Sequence, residues 1–432
     1  MNDVRKLRVL MIAFEFPPSN GASVQRILSV YRQYLDAGYA VDVLTAHPSA
    51  YDNVQPLAEG MLPENPDGQI MRVIALDAQN DLAIGGKHIG RLATPDRWSK
   101  TWVPLSTLRG FMYARRYKPD LIWSSSPTPS PHIIARRIQL MTGAKWIADY
   151  RDPMPHLHRE TPNSLRPQLE KIDEMVSLNV DMYTFATPEV KALYAARYNS
   201  REVDLHVMPN GYDAALLSSV AREVDSNEMQ SLLFPKGIFN IYYAGVLYSD
   251  GRDPVPLFHA LAQFVKENPD KPVNLVFQGV KNASDYTEII AKLKIEHMVK
   301  FEPGVTFKEA LKNMYLSDAL LLIQGAKFNR QIPGKVYEYL ATGKSIFLMT
   351  PKDSATYSAS MSHDGVYHAD SQGGVYRRLC DLVLPFFEQA NDGSASKSNN
   401  RHSGYWERNI AHHSRQHSTK KLIAWSAELL KK

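Results

Sequence analysis

The run Gln331-Ile332-Pro333-Gly334-Lys335-Val336-Tyr337-Glu338-Tyr339-Leu340-Ala341-Thr342-Gly343-Lys344-Ser345-Ile346-Phe347-Leu348 constrains the fold more than any other stretch. It reads as loop, short helix and buried strand. Pro333 suits a first helical position, whose N–H has no intrahelical acceptor. Val336, Tyr337 and Leu340 give an apolar stripe at helical spacing. Gly343 supplies a left-handed stop, and residues 345–349 form the apolar run of a parallel strand covered on both faces. Lys335 and Glu338 share one face near the helix amino end. A helix amino terminus beside an ammonium is an anion site. A carboxylate one turn further in accepts hydrogen bonds from two vicinal hydroxyls, as on a ribose. The plainer alternative is a surface Lys–Glu pair of little consequence.

The same grammar recurs along the chain. Residues 8–14 are a β run, 17–23 a turn-rich loop, and Val24, Ile27, Leu28, Tyr31 and Leu35 a helical face closed by Gly38. A strand at 40–45 completes a βαβ unit, which calls for a parallel sheet with right-handed crossovers. Further strands are expected at 71–76, 121–124, 145–149, 182–186 and 205–208, with loops at 47–66 and 77–104. A second α/β series follows a polar connector at 214–237, with strands at 239–243, 273–278, 299–302, 319–323 and 345–349. Residues 391–403 read as a flexible Ser/Asn/Gly segment, and Leu422, Trp425, Leu429 and Leu430 share one side of a last helix. A length of 432 residues exceeds one core and fits two domains.

Composition narrows the class. Hydrophobic content of 44% and charged content of 22% are globular values. The one cysteine, Cys380, excludes an internal disulfide framework and a multi-cysteine metal site, and fits a reducing compartment. There is no signal-peptide-like apolar region and no apolar run of about 18 residues, so a cytoplasmic protein is expected. The net charge of +5 does not by itself imply nucleic acid. Residues 91–118 hold seven Lys or Arg against one Asp, interleaved with Trp98, Trp102, Phe111, Tyr113 and Tyr117. Such a stretch suits an anionic membrane surface, would also stack single-stranded nucleic acid, or is a solvated basic helix. No nucleic-acid module motif accompanies it, so no nucleic-acid partner is expected.

Four further segments carry chemistry-bearing residues at strand or helix ends. Asn20-Gly21-Ala22 opens the first helix, where glycine lets backbone N–H groups approach a phosphate or sugar. Tyr243-Ala244-Gly245-Val246-Leu247-Tyr248 continues through Gly251 to Arg252, whose guanidinium is a planar fork for phosphate oxygens. Ile147-Ala148-Asp149-Tyr150-Arg151-Asp152-Pro153 sets an acid–base cluster at a strand tip; a salt-bridged structural loop is the competing reading. Phe277-Gln278-Gly279 and Pro303-Gly304-Val305 are strand-end glycine turns able to border a nucleotide base, or plain structural turns. Met208-Pro209-Asn210-Gly211 reads as a hinge marker.

Together these runs resemble glycosyltransferase family 4, the retaining nucleotide-sugar-dependent enzymes with the GT-B fold, over nearly the whole chain. The resemblance implies two Rossmann-like α/β domains facing across a cleft. An acceptor domain would span 1–210, with the terminal 405–432 segment crossing back onto it, and a donor domain 211–404. It implies Gly21, Gly245, Arg252, Gln278, Gly279, Val305, Asn329, Gln331, Lys335 and Glu338 as donor-binding. The Arg-Asp-Pro run would face the acceptor through Asp149, Arg151 and Asp152. Asp152 would orient or deprotonate the acceptor hydroxyl, while Arg252 and Lys335 stabilise the leaving diphosphate; no metal is implied.

Two departures from the family stand out. Val246 occupies the place where members carry an arginine, which makes Lys335 the complement to Arg252. Glu338 matches the second of two glutamates, while Arg330 stands at the first, so Asn329 or Gln331 would serve the donor sugar. The reading is a cytoplasmic, peripherally membrane-bound enzyme moving a sugar from a nucleotide-diphosphate donor, a substrate and not a cofactor, to a glycan or polyprenyl-linked acceptor. A nucleotide-sugar epimerase and a non-catalytic nucleotide-sugar-binding protein are the alternatives.

Overall fold

The computed structural model describes residues 5–19, 23–54, 62–83, 90–157, 161–198, 203–226, 232–248, 250–370, 372–391 and 410–432. The chain forms two compact units, Met1–Asn210 with Arg415–Lys432, and Gly211–Ser414.

In unit 1, strand β1 (Arg8–Ala13) leads to helix α1 (Val24–Asp36), followed by β2 (Ala40–Ala46) and β3 (Ile70–Val73). Helix α2 (Ser99–Tyr117), β4 (Leu121–Ser125), α3 (Ser130–Thr142), β5 (Lys145–Tyr150) and α4 (Arg166–Ser177) follow. Strand β6 (Met182–Phe185), α5 (Pro188–Arg197) and β7 (Asp204–Val207) complete the series. The strands are all parallel, in the order β3-β2-β1-β4-β5-β6-β7. Strands β1, β2, β4 and β5 are buried almost throughout, because helices cover both faces. The one carboxylate in β2, Asp42, stays buried because Arg8 (2.6 Å) and the Tyr113 hydroxyl (2.6 Å) satisfy it. The C-terminal helix Arg415–Leu429 packs on α1, with Leu422 and Leu429 in the core and the Tyr34 hydroxyl 2.7 Å from Ser426 Oγ.

In unit 2, helix α6 (Ala214–Ser226) precedes β8 (Phe239–Ala244), α7 (Val255–Glu267), β9 (Val273–Gln278), α8 (Thr287–Leu293) and β10 (Val299–Glu302). Then come α9 (Phe307–Leu316), β11 (Ala319–Ile323), α10 (Gly334–Thr342), β12 (Ser345–Met349), α11 (Ala355–Ser360), β13 (Val366–Ala369) and α12 (Gln372–Asn391). The strand order is β10-β9-β8-β11-β12-β13, again parallel throughout. In each sheet the winding direction reverses once, between β1 and β4 and between β8 and β11. Ligands of open α/β sheets bind beyond the carboxyl ends of the strands at such a reversal.

The sequence expectations differ from the structure in places. Residues 214–226 are helix and not connector, because Leu217 and Val220 bury against the sheet. Strand β13 is unforeseen: as an edge strand it is only half-buried and lacks an apolar run. Helix α2 begins at Ser99, inside the stretch read as loop, and single helical turns occupy Pro48–Ala50 and Gly90–Ala93. The expected flexible segment lies outside the described residues, apart from the end of α12. Among the described residues no helix is long and apolar enough to cross a membrane.

Candidate active site

The reversal in unit 2 is built by two loops. After β8 the chain turns at Gly245, whose φ of +124° a side chain would resist, and whose Cβ would stand 3.1 Å from Lys335 Nζ. It then closes a tight turn in which Arg252 N donates to Tyr248 O (2.7 Å). The loop after β11 is fastened to that turn: Gly325 N donates to Gly251 O at 2.7 Å. A Cβ on Gly251 would lie 2.6 Å from the Phe328 ring, so only glycine lets the loops close. The Arg252 guanidinium lies over Tyr248 (5.2 Å) and Phe328 (5.6 Å), leaving Nε buried with no hydrogen-bond partner among the described residues.

Lys335 enters this cradle from the first turn of α10. Its ammonium donates to Ala244 O (2.8 Å) and stands 4.2 Å from the centre of the Tyr243 ring. Burial, and next the neighbouring Arg252, push it down to about 7, with Glu338 opposing. The cap residue Pro333 offers the helix amino end no side-chain acceptor, so its first N–H groups stay available to an anion. Glu338 is buried one turn further in, and Gly343 closes the helix at φ +69°. Arg252, Lys335, Gly245 and Glu338 thus meet at one place.

The remaining donor candidates surround them unevenly. Gln278 is buried, its carbonyl accepting from Tyr242 Oη (2.5 Å) and Asn313 Nδ2 (2.8 Å). Gly279 and Gly304 abut, and Val305 beside them is exposed. Asn329 Nδ2 donates to Asp353 (3.0 Å), while its Oδ1 is buried with no partner among the described residues. Gln331 contributes its main-chain oxygen, which accepts from Gln324 Nε2 (3.1 Å) and Thr356 Oγ1 (3.0 Å). Gln324, buried at the end of β11, was not among the sequence candidates. Its signal is a polar residue closing an Ala-Leu-Leu-Leu-Ile strand.

In unit 1 the structure corrects the expectation for Asp149. This residue is fully buried at the tip of β5, and its oxygens are taken by Arg26 (2.6 and 3.0 Å), Thr184 (2.7 Å) and Ser125 (2.8 Å). Burial opposes the charged form, but Arg26 and these hydroxyls outweigh it and hold the carboxyl below its ordinary range. Asp149 therefore fastens the fold and leaves no oxygen for an acceptor. The same arginine donates to Met208 O (2.7 Å) and Pro209 O (3.1 Å), tying down the end of unit 1. Arg151 is half-buried, its main-chain N–H donating to Ser126 Oγ (2.9 Å) and its Nη1 without a partner among the described residues. Asp152 is half-buried beside it. Gly21 lies outside the described residues. Sequence reasoning missed Glu15, at the carboxyl end of β1, which accepts a hydrogen bond from the Ser23 hydroxyl. Among the described residues no group of three or more His, Cys, Asp or Glu is placed to hold a metal ion.

Residues 21–211 match the family described as "Glycosyl transferase 4-like domain". No curated protein matches the chain. Sucrose-phosphate synthase from Thermosynechococcus elongatus superposes with a TM-score of 0.66 at 12% identity, covering 99% of this chain and 100% of that one. Anabaena Alr3699/HepE, solved with UDP-glucose, gives 0.61 at 14% identity over 98% and 100%. A UDP-N-acetylglucosamine 2-epimerase gives 0.55 at 12% identity over 97% and 95%. At such identities the likeness is one of fold, and that fold is GT-B. The family match covers residues 21–211, the greater part of unit 1 and less than half of the chain.

Proposed function

We propose that this glycosyltransferase moves a sugar from a nucleoside-diphosphate donor to a hydroxyl acceptor with retention of anomeric configuration. The observation that carries the reading is the convergence of Arg252 and Lys335 on Tyr243, beside an α10 amino end that has no side-chain cap. Departure of the diphosphate builds negative charge on its β-phosphate. A fixed guanidinium, an ammonium and helix N–H groups answer that charge without reorganising, so no metal is required. On the retaining route the acceptor attacks the face the phosphate leaves, and its hydroxyl proton passes to the departing phosphate oxygen. Glu338 receives the ribose hydroxyls, and Asp152 orients the acceptor. A lipid-linked glycan at an anionic membrane is the proposed acceptor, for which the basic helix α2 is the support.

A thermal-shift screen against UDP-, GDP-, ADP- and TDP-sugars identifies the donor, since a bound ligand raises the midpoint by mass action. With that donor saturating, Arg252→Ala and Lys335→Ala are each expected to lower turnover by about two orders of magnitude. Wild-type turnover in both variants would move the diphosphate site elsewhere. The epimerase likeness motivates one rival reading. Product analysis with donor alone decides it: an epimerised nucleotide sugar, formed without acceptor, would replace glycosyl transfer.

A further inference from the structure

The sheet of unit 2 ends at β13, which pairs with β12 on one side only. Its outer edge is unlike the other edges. Among the edge strands of the two sheets, β3 carries Arg72, β7 carries Asp204, and β10 carries both Lys300 and Glu302. Such charges blunt an edge against pairing with another chain. Strand β13, Val366-Tyr367-His368-Ala369, holds no Asp, Glu, Lys, Arg or Pro. Ile346 N donates to Gly365 O (2.9 Å), and in a parallel ladder successive residues present their main-chain groups to opposite sides. Val366 and His368 therefore turn their N–H and C=O groups away from β12.

A groove of about 630 Å³ runs along that edge, lined by the whole of β13. Helices wall it on both faces of the sheet. Phe347 and Met349 of β12 share a core with α12, whereas Ile346 and Leu348 share one with Ala355 of α11, so the two helices cover opposite faces. On the α11 side stand Tyr357 and the exposed Met361. The Tyr357 ring meets His368 edge-on at 4.6 Å, and His368 Nε2 donates to Thr350 O (2.7 Å). On the α12 side stand Arg377 and Arg378, both exposed. Arg378 is paired with Asp381 (2.8 Å), and Arg377 has no ion pair among the described residues. Lys352 pairs with Asp370 (3.4 Å) at the carboxyl end of the strand.

These features select the occupant. Four residues at about 3.3 Å each give an edge about 13 Å long, which an extended segment matches. A strand laid there alternates its side chains between the two faces. One set meets Tyr357 and Met361 and is best apolar; the other meets Arg377 and Arg378 and is best acidic. A small anion would engage the arginines and leave the strand edge unpaired. A second copy of this chain would bring the same cations towards each other. We infer that this groove binds an extended acidic segment of a partner protein, which adds a strand to the sheet beside β13, with carboxylates against Arg377 and Arg378 and apolar side chains against Tyr357 and Met361. The groove shares no residue with the donor cradle and does not rest on the glycosyl-transfer reading.

The test uses the full chain and fluorescein-labelled peptides of about ten residues, read by fluorescence anisotropy. One peptide alternates Glu with Val; in its counterparts Gln or Lys replaces every Glu. The Glu–Val peptide is expected to bind saturably, and the Gln–Val and Lys–Val peptides at least about tenfold more weakly. Bound Glu–Val peptide should slow amide exchange over residues 365–370, followed by mass spectrometry. Its fully N-methylated form, which keeps the charge and loses every main-chain donor, should not bind. Arg377→Glu with Arg378→Glu, on an exposed helix surface, is expected to weaken the Glu–Val peptide at least about tenfold and to strengthen the Lys–Val peptide. That variant should keep the melting midpoint of wild type and the thermal shift given by the preferred nucleotide sugar. The inference is overturned if the Glu–Val peptide fails to bind at millimolar concentration, or if either counterpart binds as well. It is equally overturned if the N-methylated peptide matches its parent, if amide exchange over 365–370 is unchanged, or if the arginine variant binds like wild type. Displacement of the peptide by glucose 1-phosphate would make this a small-anion site, and a wild-type dimer that the arginine variant dissociates would make it an interface between copies; either result overturns the inference.

Discussion

Lys335 ties the electrostatics of the proposed donor site to pH. Its ammonium is held near 7 by burial and by Arg252, far below an ordinary lysine. In the free protein it is charged below that value and largely neutral above it. A bound diphosphate favours the charged form, so binding near neutral pH takes up a proton. Nucleoside-diphosphate affinity is therefore expected to fall as pH rises from about 6 to about 9, with calorimetric heats that depend on the buffer's ionisation enthalpy. A pH-independent affinity would remove Lys335 from the site. Stability carries the opposite sign. The folded-state value lies below the unfolded one, so the charged form costs stability fully below about 7 and the cost vanishes as pH approaches the unfolded lysine value. Lys335→Met is expected to raise the melting midpoint of the ligand-free protein at about pH 6 and to lose that gain towards pH 10. Glu338→Gln should weaken nucleotide binding by about 1–3 kcal/mol in calorimetry, the scale of a hydrogen bond to a charged group. Unchanged affinity with an intact fold would refute the ribose assignment. The Lys335–Glu338 pair was legible in the sequence because helical spacing alone puts the two on one face. Asp149 was not. An acid at a strand tip reads the same whether it faces solvent or an arginine 123 positions away.

At the scale of elements, strands buried on both faces were legible because continuous apolar runs need no partner to be recognised. Boundaries set by tertiary packing were not. Helix α6 looks polar until Leu217 and Val220 meet the sheet, and β13 borrows its strand character from β12. In α2 the aromatic residues read as interfacial prove otherwise: Trp102 and Tyr113 are core, and Phe111 and Tyr117 are half-buried. The cradle around Arg252 and Lys335 likewise depends on a fit between two loops some seventy residues apart, visible only once Gly251 is seen against Phe328. Gly251→Ala places a methyl 2.6 Å from that ring and must part the β8 and β11 loops, displacing Arg252. Donor affinity is expected to drop by roughly tenfold or more, while circular dichroism and the melting midpoint of the ligand-free protein change little, since the loops lie outside the core. A variant with wild-type donor affinity would mean that Arg252 reaches its ligand without this closure.

For the whole molecule, the net charge of +5 matters less than where cations and exposed apolar groups coincide. On α2 they coincide on one side. Leu105, Leu108 and Met112 are exposed, as are Arg109, Arg115 and Arg116, and all six fall within an arc of about 120° at the helical period. Helix α3 also exposes Leu140, Met141 and Arg137, the last bonded to Thr107 of α2 (3.4 Å). Solvated basic helices do not gather leucines on their outer side; a surface meeting an anionic bilayer gains from both groups. Each cation near such a surface contributes about 1 kcal/mol. Replacing Arg109, Arg115 and Arg116 together by Gln should therefore cut association with phosphatidylserine vesicles by about two orders of magnitude, and added salt should do the same to wild type by screening. Leu105→Ser with Leu108→Ser should weaken binding in a way that salt does not reproduce, because burial of apolar area is not screened. Turnover on a water-soluble glycoside should persist in both variants, since neither touches the donor cradle. Equal co-sedimentation of wild type and the arginine triple variant would remove this face as the proposed membrane contact. A wild type that ignores anionic vesicles altogether would leave the acceptor a soluble saccharide.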